Sequence, residues 1–121
     1  MAGFSTNRLI AAASTNATLV RNGPAELGGW QYFNAAAYPV FLKLYDSATI
    51  PTAGVGTPKM TLGIAAGAAA QGNSLHGYWG DSVEGCIPFI NGLGFTITKL
   101  AADADTTVLV AGDCIVNLFY R

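Results

Sequence analysis

The sequence predicts an all-β chain, an antiparallel sandwich or barrel of about eight or nine short strands. Three observations point there. Apolar and polar residues alternate with period two from end to end, clusters of Gly, Pro, Asn and Asp separate the runs, and no stretch sustains the 3.6-residue period of an amphipathic helix. A length of 121 residues suits one domain, so residues 1–121 are expected to share a single core.

The first strands are expected at Arg8–Ala13 and Thr18–Asn22, where Thr18 and Val20 share one face against Leu19 and Arg21. Asn22-Gly23-Pro24 then turns the chain. Trp30–Asn34 and Val40–Asp46 have the aromatic and β-branched character of strands. In the second, Val40, Leu42 and Leu44 point inward while Phe41, Lys43 and Tyr45 point out. Asp46–Lys59, DSATIPTAGVGTPK, places Pro51, Pro58, Gly54 and Gly56 among small polar residues and reads as a long ordered loop, the kind that carries function. Lys59–Ala65 returns to strand, with Met60, Leu62 and Ile64 alternating. The Ala/Gly stretch Gly63–Gly72 permits close approach of another backbone; a short helix is the other reading, weakened by Gly67.

Leu75–Trp79 reads as a strand and Gly80–Gly85 as a turn. Cys86–Ile90 and Phe95–Leu100 follow, joined at Asn91-Gly92. Ala101–Thr107 reads as a polar loop, Val108–Val110 as a short strand and Ala111-Gly112-Asp113 as a turn. In the terminal CIVNLFYR, Cys114, Val116, Leu118 and Tyr120 share a face, with apolar residues on the other side as well. The expected core is Leu42, Leu44, Leu62, Ile64, Phe95, Ile97, Val116 and Leu118.

Composition narrows the function. Charged residues make up 11% of the chain, against about 25% in soluble domains. Mean hydropathy is +0.38, and although 20 alanines and 15 glycines temper that figure, the sparse charge suits a surface partly covered by copies of the chain or by a partner. Arg8, Arg21, Lys43, Lys59, Lys99 and Arg121 are scattered singly and the net charge is −1, which excludes nucleic acid as a ligand. No run reaches the roughly 20 apolar residues that span a bilayer, and Leu9–Ala13 is too short for a signal sequence. The expectation is a soluble protein made in a cytoplasm, with no membrane partner.

Cys86 and Cys114 are too few for a zinc site or a disulfide framework. They read as buried small hydrophobes, or as a bridge if their strands are neighbours. The single His and the lack of a GxSxG elbow, an HExxH pair or a P-loop argue against an enzyme. His76, near Tyr78, Trp79 and Asp81, reads as a solvated side chain. Asp103 and Asp105 could be imagined on calcium but suit turn capping better. Neither metal nor cofactor is expected. Trp30, Tyr32, Phe33, Tyr38, Tyr78 and Trp79 could stack on sugars, as in a carbohydrate-binding or receptor-binding module of a tail or spike, but fit strand packing equally well.

Several stretches resemble a family of short virion proteins of tailed bacteriophages, the capsid decoration or cement proteins. They are Ser14-Thr15-Asn16-Ala17-Thr18, FLKLYD at Phe41–Asp46 running into the Pro-bearing loop at Ala48–Pro58, FxxGLGF at Phe89–Phe95, ADxDTT at Ala102–Thr107 and the terminal VNLFYR. The resemblance implies a jelly-roll-like β-sandwich that sits as a homo-oligomer, trimer before dimer, on the outer surface of an icosahedral head. It implies the major capsid protein as partner and assembly in the host cytoplasm. Ile50, Pro51, Val55 and Pro58 of the long loop, with Ala66 and Ala68 of the Ala/Gly stretch, are the candidate contact residues.

Overall fold

A computed structural model describes residues 3–67, 72–78 and 86–121. Among them the strands are β1 (Ser5–Ile10), β2 (Thr18–Asn22), β3 (Ala25–Asn34), β4 (Val40–Asp46), β5 (Met60–Ile64), β6 (Asn73–Tyr78), β7 (Ile87–Phe89), β8 (Gly92–Thr98) and β9 (Cys114–Tyr120). Sheet I runs β1-β9-β3-β6, with β7 also paired to β3, and sheet II runs β2-β8-β4-β5. Every pairing is antiparallel. Two face-packed sheets that exchange strands in this order are a jelly roll, so the chain is a sandwich and not a barrel.

The core follows from period two. Tyr32, Val116 and Leu118 of sheet I face Val40, Leu42, Leu44, Phe95 and Ile97 of sheet II, and all of them are buried. The Tyr32 hydroxyl donates to the carbonyl oxygen of Val40 at 2.8 Å, tying the sheets together, and burial pushes its ionisation well above the ordinary range. Of the expected core, Leu62 is only half-buried because β5 is an edge strand. Cys86 and Cys114 are both free and buried. Burial first, then the neighbouring Asp113 charge, pushes the Cys114 thiol up to about 12, so it is inert at neutral pH.

Several boundaries differ from expectation for physical reasons. β1 begins three residues earlier than the Arg8 start expected for it, since its register partners extend to Tyr120. β3 begins at Ala25, ahead of Trp30, and runs through Gly28-Gly29 with a register shift between Leu27 and Gly29. Val108–Val110 is no strand; it alternates because Leu109 is buried, and its backbone bonds, from Leu109 N to Ser14 O and from Asp113 N to Val110 O, both at 3.2 Å, join it to a loop and close a turn. Asn91-Gly92 does not close a hairpin. It carries the chain from β7 in sheet I to β8 in sheet II.

Lys43 corrects a further expectation. It points away from the core as alternation requires, yet it is fully buried, as are Thr96 and Thr98 beside it. The outer side of sheet II lies beneath two loops, residues 47–59 and 99–113. Pro51 packs on Gly94, where an added Cβ would come within 2.7 Å of Pro51 Cγ. Gly54 lies against the second loop, where a Cβ would sit 2.7 Å from Thr106 Cγ2. The Lys43 ammonium donates to the carbonyl oxygen of Ala102 at 2.5 Å, anchoring that loop from below.

Candidate functional site

The 47–59 loop is held at both ends. Ser47 N donates to Gly92 O at 3.1 Å and Lys59 N to Leu44 O at 2.7 Å. Its first residue neighbour, Asp46, accepts from the amides of Asn91 at 2.7 Å, Ile90 at 3.1 Å and Gly92 at 3.3 Å. Burial works against ionisation, but those amides, with the Lys59 charge, outweigh it and hold the Asp46 carboxyl below its ordinary value. The Lys59 ammonium in turn donates to Pro88 O and lies 5.1 Å over the Phe89 ring. A carboxylate so occupied by its own backbone is a clamp on the loop, not a base or a metal ligand.

On this clamped loop, Ile50 and Val55 are 62% and 64% exposed and line a concavity of about 340 Å³ with Tyr45, Asp46 and Pro51. Ile90, 71% exposed, lies outside the concavity on the adjoining connection from β7 to β8, where its backbone N–H donates to Asp46. Pro51 is buried and Pro58 half-buried, so these prolines anchor the loop and do not present it. Ala66 is exposed at the opposite end of β5, beside the bond from Gly67 N to Ala36 O at 2.9 Å. Ala68 lies outside the described residues. The candidate contact residues therefore divide: Ile50, Pro51 and Val55 come together, while Pro58 and Ala66 stand apart.

The ADxDTT segment is a turn. Asp105 accepts from Thr107 Oγ1 at 2.5 Å, Leu100 N at 3.2 Å and Thr107 N at 3.4 Å. Burial opposes ionisation there too, and the Thr107 and Leu100 bonds overcome it, lowering the Asp105 carboxyl. Asp103 is exposed and takes no part. Among the described residues, no group of three or more side chains is gathered as metal ligands would be.

A second site lies on the outer face of sheet I, where strand register stacks side chains that the sequence keeps far apart. One row is Tyr78, Gly29, Phe119 and Thr6; the next is His76, Gln31, Asn117 and Arg8; the third is Ser74, Phe33, Ile115 and Ile10. Between Trp30, Gln31, His76, Gly77, Tyr78 and Phe119 is a concavity of about 330 Å³. The two glycines of β3 make it possible. A Cβ on Gly28 would come within 2.3 Å of Phe4 Cε1, and one on Gly29 within 2.5 Å of Gly77 O and 3.2 Å of Tyr78 Cδ2, so the Phe4 ring and the Tyr78 ring both approach the bare β3 backbone. Phe4 and Tyr78 meet edge to face, with centroids 6.5 Å apart and an interplanar angle of 72°. The Arg121 guanidinium sits 4.9 Å over the Phe4 ring and donates from Nε to Glu26 Oε2 at 2.9 Å.

The six aromatics singled out in the sequence thus separate. Tyr32 and Trp30 are buried and face inward, Phe33 is half-buried against Gly72, and Tyr38 is held by Asp113, Val110 and the Lys99 ammonium. Trp79 lies outside the described residues. Tyr78 alone of the described five is exposed, and its companions Phe119 and Gln31 carry no sequence signal beyond lying on strands, since only register brings them to it.

No protein-family model matches this sequence, and comparison with curated proteins finds no match. Among solved structures the chain is similar to the coat protein of Tobacco streak virus, with 10% sequence identity, over 96% of this chain and 84% of that one, at a TM-score of 0.37.

Proposed function

We propose that this chain is a structural virion protein without catalytic activity: a capsid decoration protein that sits as a homo-oligomer on the outer surface of a tailed-phage head and strengthens the lattice of the major capsid protein. The observation that carries the reading is the group of Ile50, Val55 and Ile90, large aliphatics left 62%, 64% and 71% exposed around a carboxylate clamp that fixes their loops. Burying such a side chain fully contributes about 1.5–3 kcal/mol, and a loop already ordered loses little entropy on docking. The sparse charge of 11% and the resemblance of the loop sequences to decoration proteins support the same role. Contacts laid across subunit boundaries stabilise a shell by mass action, because the particle must come apart against more buried surface. A trimer suits the local three-fold axes of an icosahedral lattice; a dimer would suit the two-fold axes.

The test has two parts. Light scattering on the purified protein is expected to give about three times the 12.5 kDa chain mass. Particles lacking the protein are expected to release their genome at lower temperature, and the double variant Ile50→Ser, Val55→Ser to bind particles more weakly while unfolding at the same temperature as the parent chain. A monomer whose removal leaves particle stability unchanged overturns the proposal.

A further inference from the structure

We infer that the outer face of sheet I carries a binding site for an uncharged saccharide, one or two pyranose rings, stacked on Tyr78 between Phe119, Gln31 and His76. Such a site is independent of any role in a shell.

Tyr78 is 66% exposed, yet its ring is packed on one side, against Gly29, and meets Phe4 edge to face. An aromatic face that is open to solvent but already ordered is a stacking platform. The C–H face of a pyranose can cover it without the ring losing rotamer freedom. The adjacent row then supplies polar groups of mixed character. Gln31 and His76, both exposed and directly paired across β3 and β6, offer an amide oxygen, an amide NH₂ and imidazole nitrogens within one residue's reach of the ring. Sugar hydroxyls donate and accept at once, so they pair with such a mixture better than any single-function ligand does.

Charge decides what kind of ligand fits. Among the described residues no Lys, Arg, Asp or Glu lines the concavity, and Arg8 of the same row lies two strands beyond Gln31, so a phosphate or carboxylate placed on Tyr78 has no paired countercharge there. That disfavours nucleotides and sialylated sugars and leaves neutral hexoses. The volume, about 330 Å³, stands at the small end of the range for small-molecule sites, which fits one or two rings and not a long chain.

The test is saturation-transfer NMR and titration of the purified protein with the methyl glycosides of glucose, galactose, mannose and N-acetylglucosamine and with their disaccharides, alongside AMP and N-acetylneuraminic acid. For at least one neutral glycoside the expected Kd is about 1–10 mM, as befits a ligand of this size on an open site. Tyr78→Ala should weaken binding about tenfold or more, while Tyr78→Phe keeps it within about twofold. Because Tyr78 projects from the surface, thermal unfolding of the Ala variant is expected to match the parent; if it does not, Gln31→Ala, expected to weaken binding severalfold, decides in its place. Absence of saturation transfer from every neutral glycoside well above that concentration range overturns the inference. So does binding confined to AMP or N-acetylneuraminic acid, or binding that survives both alanine substitutions unchanged.

Discussion

On the outside of sheet II, Lys43, Tyr45, Thr96 and Thr98 are buried beneath residues 47–59 and 99–113, and β8 is buried at every position. On the outside of sheet I, Gln31, His76 and Arg8 stand in solvent, with Phe33, Ile115 and Phe119 half-covered around them. The inner faces of both sheets are buried and largely apolar, so among the described residues the difference follows from where the long connections lie. The covered face has become a second, polar layer of packing, stabilised by side chains reaching up to loop carbonyls. The open face keeps its side chains available, and that is where a soluble ligand can be met.

Substitutions should separate the two faces sharply. The largest effect is expected at Lys43→Ala, which removes both a fully buried stem and the donor to Ala102 O. A loss of about 2–4 kcal/mol in urea unfolding is the expected outcome, chiefly from the void left by the buried stem, with the lost charge-assisted bond adding to it; Ala102 O keeps its bond from Asp105 N at 3.0 Å. A loss no greater than that of an exposed lysine would mean the loop does not rest on sheet II. Next comes Gly94→Ala, which drives a methyl to within 2.7 Å of Pro51 and 3.1 Å of Thr18 O. Overpacking of this kind costs about 1–3 kcal/mol. It should also speed hydrogen exchange at the Ser47 and Lys59 amides, the two that tie down the ends of the first covering loop.

Acid should loosen the covered face before the open one. Asp46 and Asp105 both have folded-state pKa values lowered by amide and hydroxyl donors that outweigh burial. A depressed carboxylate contributes stability that is fully present above its unfolded value, about pH 4, and lost as pH falls through the lower folded value. Exchange protection at Ile90, Asn91 and Leu100 is therefore expected to decline below about pH 4, and Asp46→Asn to abolish that dependence for the first two amides. The smallest effect belongs to the open face. Gln31→Ala and His76→Ala should each change stability by no more than about 0.5 kcal/mol, as measured by thermal unfolding.

Much of this architecture is legible in the sequence where a single period decides the outcome. Thr18–Asn22 and Val40–Asp46 are strands with the bounds that alternation predicts, and Val40, Leu42, Leu44, Phe95, Ile97, Val116 and Leu118 are buried as expected. Lys43 shows the limit of that logic. Alternation gives the correct side of the sheet but says nothing of what lies above it, because the covering loops are irregular and their position is set by contacts such as Pro51 on Gly94. Glu26 to Gly29 hides for the opposite reason. Glycines weaken a strand signal, yet here they are part of β3 because the Phe4 ring occupies the space a side chain at 28 would take, and Gly77 O, with Tyr78 beside it, the space of one at 29. The saccharide site depends on the pairing of Gln31 with His76 and of Gly29 with both Tyr78 and Phe119, and register over such distances leaves no mark in a one-dimensional pattern.

The place of β9 between β1 and β3 also sets a timetable for manufacture. Among the described residues β1 pairs only with β9, and Ser5–Ile10 leave the ribosome long before Cys114–Tyr120 exist to receive them. At about 5–20 residues per second that wait is on the order of 5–20 s. Throughout it β3 has an open edge and the inner faces of both sheets lack Val116 and Leu118. Translation that stops short of residue 114 therefore yields a chain missing the middle of sheet I, with β1 unable to join it and neither Phe119 nor Arg121 in place, so that only chains read through β9 can reach the shape on which every surface described above depends.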